Sequence, residues 1–121
     1  MAMASVIETA PAKINLCLHV LGRRPDGYHE IDSLIAFTGV GDRIEIAPST
    51  GATLEIDGPF ARDCPAAGAN LVMRAAMMLA ATSARPLMAA MHLDKQLPVA
   101  AGIGGGSADA AAALRALQQL W

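Results

Sequence analysis

The sequence predicts an α+β fold, a largely antiparallel sheet with helices packed on it. Three observations carry that expectation. Stretches alternating apolar with polar residues crowd the N-terminal half. The remainder reads as helix, strand, helix, with an asparagine able to cap the first of these helices. A glycine-rich loop runs directly into the last, alanine- and leucine-rich helix. Mostly β followed by α-β-α is the order of a sheet covered by helices on one face.

In chain order, Lys13-Ile14-Asn15-Leu16-Cys17-Leu18-His19-Val20 alternates strictly. It reads as a strand burying Ile14, Leu16, Leu18 and Val20 and presenting Lys13, Asn15, Cys17 and His19 on its other face. Arg23 to Gly27 is a polar turn. A second extended stretch runs from His29 to about Thr38, and Gly39-Val40-Gly41-Asp42 reads as a hairpin connection to Arg43–Ile46. Pro48 to Gly51 then joins that strand to Thr53–Ile56, and Pro59 to Gly68 is a loop. Asn70 caps a helix reaching about Ser83, ended by Arg85-Pro86, with Met73, Met77 and Met78 as core filler. Leu87 to Asp94 is a further strand, and a helix from about Ser107 aligns Leu114, Leu117 and Trp121 on one stripe. His19 and His92 read as structural strand histidines.

Composition narrows the function classes. The 121 residues are 54% hydrophobic and 17% charged, which suits one folded domain and excludes disorder. A formal net charge of −2 and few aromatic residues argue against a nucleic-acid partner. Cys17 and Cys64 form no Cys-x-x-Cys pair, so neither a zinc site nor a disulfide framework is expected, and no metal ligands are assigned. Met1 to Glu8 lacks the pattern of a signal peptide, and no apolar run reaches the ~18 residues needed to span a bilayer. The expectation is a cytoplasmic protein without a membrane partner. The sequence stops at Trp121 inside an amphipathic pattern, which reads as the front part of a longer protein whose uncovered apolar surface favours self-association.

The loop carries the chemistry. Consecutive glycines let backbone N–H groups converge on one point, and the first helical turn adds donors with no intrahelical partner plus the positive end of the helix dipole. That combination receives a phosphate. A Walker A loop needs a lysine where Ser107-Ala108 follow Gly106, and in the dinucleotide fingerprint Ser107 occupies the place of the last glycine. What remains is Pro98-x-x-x-Gly102-x-Gly104-Gly105-Gly106-Ser107-x-x-Ala110-Ala111.

This pattern resembles the phosphate loop of the GHMP kinases. Two more blocks, Pro11-Ala12-Lys13-Ile14-Asn15-Leu16 and Arg24-Pro25-Asp26-Gly27-Tyr28-His29, stand in the same order and narrow the resemblance. They point to the branch acting on a cytidine-diphosphate-linked methylerythritol of the non-mevalonate isoprenoid route. The resemblance runs from about Ala10 to Trp121. It implies the N-terminal ATP-binding domain of such a kinase, in a fold shared with domains of ribosomal proteins and some chaperones. It further implies ATP-dependent phosphorylation of the 2-hydroxyl of a small molecule with a cytidine diphosphate moiety, with magnesium.

By the same resemblance Lys13 is catalytic, and Asn15, Tyr28 and His29 bind the substrate, the Tyr-His pair at its cytosine end. The ATP phosphates lie on Pro98, Val99, Ala100, Ala101, Gly102, Ile103, Gly104, Gly105, Gly106, Ser107 and Ala108. Ser107 is then the loop's one hydroxyl for a phosphate oxygen or a magnesium-bound water. The family's catalytic aspartate belongs to a Gly-Ala-Asp-x-Pro segment that these 121 residues do not contain, so little turnover is expected of them alone. Ala100 and Ala101 replace glycines common in relatives, and Ala100 is unfavourable if its φ is positive. Asp109 would repel phosphate if it faced the loop and is assigned to capping. The alternatives are another GHMP kinase, of the mevalonate or homoserine type, and a non-catalytic nucleotide- or RNA-binding module of the same fold.

Overall fold

The computed structural model describes residues 4–100 and 102–121. Its elements are β1 (Val6–Arg23), β2 (His29–Pro48), β3 (Thr53–Asp57), α1 (Leu71–Thr82), β4 (Ala89–Asp94) and α2 (Gly105–Leu120), with short 3₁₀ turns at Ala61–Asp63 and Ala67–Ala69. The sheet order is β1-β2-β4-β3. β1/β2 and β2/β4 are antiparallel, while β3/β4 is parallel. The largely antiparallel α+β architecture is therefore as the sequence predicts.

The core lies between one face of the sheet and the two helices. Ile44 and Ile46 of β2 sit beside Met91 and Leu93 of β4, all buried. Val72, Met73, Ala76 and Ala80 of α1 and Ala112, Ala113, Ala116 and Leu117 of α2 close over them. The alanines matter because a helix face without bulk can approach a sheet and a second helix closely. The Asn70 carboxamide oxygen accepts from Val72 N–H at 2.9 Å, capping α1, and its amide donates to the Pro65 carbonyl at 3.1 Å. Asn70 thus ties the 3₁₀ segment to the helix it starts. No described helix is long and apolar enough to cross a membrane.

The structure differs from the sequence expectations in several places. Gly39 to Asp42 is no hairpin: β2 runs unbroken through it. Gly41 is there for close approach, since a Cβ on it would lie 2.4 Å from the Ala10 carbonyl oxygen. β3 joins the sheet beside β4, which lies between it and β2. The apolar face of β1 is not buried either: Ile14 is 43%, Leu16 62%, Leu18 51% and Val20 62% exposed. The paired ends of β1 and β2 project past both helices as a long hairpin, with register shifts at Pro11/Lys13, Asn15/Cys17 and Val20/Gly22. Of the methionine cluster, Met73 is buried, whereas Met77 and Met78 face outward on α1. Leu114 likewise leaves the stripe that Leu117 and Trp121 share, being the more exposed of the three.

Candidate nucleotide site

β4 ends at Asp94 and α2 begins at Gly105, so the glycine loop spans the gap between the end of an inner strand and a helix N-terminus. The helix starts slightly before the expected Ser107. Its first main-chain bond runs from Ala108 N–H to the Gly104 carbonyl at 2.9 Å. The amides of Gly105, Gly106 and Ser107 are left without an intrahelical partner. Gly102 and Gly104 take positive φ, 74° and 71°, which aims this turn of backbone inward. Ala100 also takes a positive φ, 57°, and carries the strain that a Cβ brings there.

Lys13 is locked to the loop. Its backbone N–H donates to the Ile103 carbonyl at 2.9 Å. Its stem lies against Gly104, where a Cβ would come to 3.0 Å from Lys13 Cγ. The ammonium donates to Asn15 Oδ1 at 2.8 Å, Asn15 Nδ2 to Ser33 Oγ at 2.8 Å, and Ser33 Oγ to the Cys17 carbonyl at 2.7 Å. A polar chain thus runs up one side of the hairpin from the loop.

A cavity of about 310 Å³ opens on the loop. Gly102, Gly104, Gly105, Gly106 and Ser107 line it with Val99 and Ala100, while Cys64, Pro65, Ala69, Asn70 and Leu71 form the facing wall. Beneath lie Lys95 and Asp109. Pro98, Ile103 and Ala108 of the expected set do not line this cavity, nor does Lys13, and Ala101 lies outside the described residues. Tyr28 and His29 are not brought to the loop. They are exposed at the free end of the hairpin, where Arg23 pairs with His29, ten residues beyond Lys13 and so up to ~33 Å along an extended strand.

Sequence reasoning missed the charged group under the loop. Lys95 is 2% exposed and donates to Asp42 Oδ2 at 2.6 Å and Asp109 Oδ2 at 2.9 Å. Asp42 Oδ1 accepts from the backbone N–H groups of Gln96, at 2.7 Å, and Leu97, at 2.8 Å. Asp109 Oδ1 is buried without a hydrogen-bond partner among the described residues. Asp109 is therefore no cap: it sits one turn inside α2 and points down at Lys95. Burial, reinforced by the neighbouring Asp42 carboxylate, pushes its carboxyl up to about 8. Burial alone would also push Asp42 up, but the neighbouring Asp109 carboxyl and the hydrogen bonds from Lys95 and Leu97 N–H hold it below the usual carboxylate range. For Lys95 burial acts downward, and the two aspartates outweigh it and raise it. The opposed shifts of the two aspartates around one ammonium make Asp109 the more readily protonated of the pair. A lysine between a strand and a glycine loop has no pattern that separates it from a solvated one.

Comparison with known proteins agrees with this architecture. Residues 70–121 match the family described as GHMP kinases N terminal domain. The chain is 54% identical over 119 residues to a 4-diphosphocytidyl-2-C-methyl-D-erythritol kinase of Paramagnetospirillum magneticum, covering 98% of this chain and 41% of that one. It is 56% identical over 121 residues to the kinase of the same name from Jannaschia sp., covering 100% of this chain and 42% of the relative. A crystal structure of 4-(cytidine 5'-diphospho)-2C-methyl-D-erythritol kinase superposes with a TM-score of 0.75 at 41% identity, over 95% of this chain and 40% of that one. A homoserine kinase from Cytophaga hutchinsonii shares the fold, with a TM-score of 0.68 at 20% identity, over 99% of this chain and 36% of that one. The chain is similar to the GHMP kinases over residues 70–121 and to the diphosphocytidyl-methylerythritol kinases over nearly its whole length, and it spans about two fifths of the length of the curated relatives it matches.

Proposed function

We propose that this chain holds ATP for a kinase that phosphorylates the 2-hydroxyl of 4-diphosphocytidyl-2-C-methyl-D-erythritol, a step of the non-mevalonate route to isoprenoid precursors in the cytoplasm. The observation that carries the reading is the cavity formed by the amides of Gly105 to Ser107 at the start of α2, with Lys13 hydrogen-bonded to the same loop. The residues present fit a nucleotide. Unpartnered amides at the positive end of a helix suit phosphate oxygens. The facing wall of Cys64, Pro65, Ala69, Asn70 and Leu71 offers mostly apolar surface on which a base can pack. The names of relatives at 54% and 56% identity support the substrate.

ATP supplies the phosphoryl group, and catalysis of its transfer is mainly positioning and charge stabilisation. Gly105, Gly106 and Ser107 bind the phosphates. The Ser107 hydroxyl, which lines the cavity, would help to hold a magnesium ion on the nucleotide phosphates, and the ion would supply charge neutralisation there. The Lys13 ammonium, held by Asn15, steadies negative charge at the acceptor hydroxyl, and Asn15 orients that hydroxyl. Tyr28 and His29 take the cytosine by stacking and hydrogen bonding at the far end of the hairpin. In this reading the substrate lies along the hairpin, its cytosine towards Tyr28 and His29 and its acceptor hydroxyl towards Lys13.

Titration calorimetry with ATP and, separately, with cytidine diphosphate tests the reading. Saturable binding of both is expected. Failure of ATP to bind overturns the nucleotide assignment, and ATP binding without cytidine binding overturns the substrate assignment.

A further inference from the structure

The group formed by Lys95, Asp42 and Asp109 is used nowhere in the chemistry above, yet it occupies the floor of the nucleotide cavity. Buried ion pairs are poor sources of stability, because desolvation offsets most of their attraction and apolar replacements often do as well. Where this one lies is informative. Lys95 follows the last residue of β4, Asp42 belongs to β2, and Asp109 to the second turn of α2. Through its backbone contacts Asp42 fixes Gln96 and Leu97, the chain leading into the loop. Through Lys95 it is joined to Asp109, on the helix leading out. Gly105 completes the fit, since a Cβ there would lie 3.2 Å from Lys95 Nζ. Asp42 also pairs with Ala10 across the β1/β2 ladder, three residues before Lys13.

We propose that Lys95, Asp42 and Asp109 are positioning residues that clamp both stems of the glycine loop and so set the geometry in which its amides meet phosphate. The proposal rests on the nucleotide reading and adds to it residues that touch no phosphate. Both stems are held from below by side chains whose positions burial leaves no freedom to change. The loop between them holds its strained Ala100 and left-handed Gly102 and Gly104 against relaxation. Preorganised donors bind an anion without the cost of ordering the loop at that moment.

The test compares Asp109→Ala with Asp109→Asn. Alanine removes the link to α2 and leaves the Lys95–Asp42 pair balanced, while asparagine keeps an acceptor for Lys95. Two readouts are needed: ATP affinity by calorimetry, and hydrogen exchange of the amides of residues 102–107 relative to those of β4. Asp109→Ala is expected to bind ATP at least about tenfold more weakly and to exchange its loop amides at least about tenfold faster, with β4 protection kept. Asp109→Asn is expected to restore both to within about threefold of the unaltered chain. Unchanged affinity and loop exchange in Asp109→Ala overturns the proposal, as does an asparagine variant no better than alanine. Should Asp109→Ala fail to fold, Lys95→Met/Asp109→Leu, which leaves Asp42 with its two backbone donors, is read against the same outcomes. Absence of ATP binding to the unaltered chain, with normal loop protection, overturns the nucleotide reading and not the clamp, which the exchange data then decide.

Discussion

Lys13 and Ile103 are joined by a backbone hydrogen bond of 2.9 Å, from an N–H at a bulge of β1 to a carbonyl inside the glycine loop. The strand that carries the ammonium and the loop proposed to carry the phosphates are therefore tied directly to each other. Gly104, packed on the Lys13 stem, is the hinge of that contact. Replacing it by valine forces a β-branched residue into left-handed φ and into the lysine. Gly104→Val is expected to lower unfolding free energy by about 2 kcal/mol or more and to weaken ATP binding at least tenfold. Chemical denaturation and calorimetry measure the two effects.

Ala100 gives the opposite result. Its φ of 57° is strained for any residue with a Cβ, and it is exposed. Ala100→Gly is expected to stabilise the chain by about 0.5–1 kcal/mol, the relief of strain exceeding the added entropy of the unfolded chain. A thermal melt of the two proteins checks the sign.

Asp109 makes stability depend on pH. Burial pushes its carboxyl up to about 8 in the folded chain, against about 3.9 for an exposed aspartate. The protonated form is favoured by folding, so this contribution is fully present below about pH 4 and is lost as pH rises towards 8. Asp42 is shifted the other way, and its contribution is lost only as pH falls through its depressed folded value. Across pH 5 to 8 the unfolding free energy of Asp109→Asn should therefore fall less steeply with rising pH than that of the unaltered chain. Urea denaturation at several pH values measures the slopes, and parallel slopes would show that Asp109 is already ionised at pH 5.

Tyr28 is 74% exposed and supports no core contact. Tyr28→Ala should leave stability within about 0.5 kcal/mol and cut affinity for cytidine diphosphate about tenfold while leaving that for ATP unchanged. Equal loss of both affinities would mean that the hairpin tip acts through the fold and not through the base.

Much of this was legible in the chain. The Asn70 cap, the helix it starts, and the glycine loop feeding α2 are local signals, each set by a few adjacent residues. What was hidden is non-local. The apolar alternation of Ile14 to Val20 is the pattern of a half-buried strand, and only the projection of the hairpin beyond the helices leaves that face open. The insertion of β4 beside β2 depends on pairing between residues more than forty positions apart, such as Ile46 with Met91. The Lys95 group unites side chains from the interior of β2, the residue after β4 and a helix, and the Asp109 charge on a helix face reads as a cap until Asp42 and Lys95 are seen beneath it. Asp109 was misread for that reason, although the argument that an ionised carboxylate does not belong beside phosphate points the same way as its raised pKa.

The central claim is that the amides from Gly102 to Ser107 grip the phosphates of ATP. A heteronuclear NMR titration of the chain with ATP measures this residue by residue. The account predicts saturable shifts that are largest at Gly104 to Ser107 and extend to Lys13 and Leu71. Saturable shifts that spare the loop and centre elsewhere, or no saturable shift at all, would contradict it.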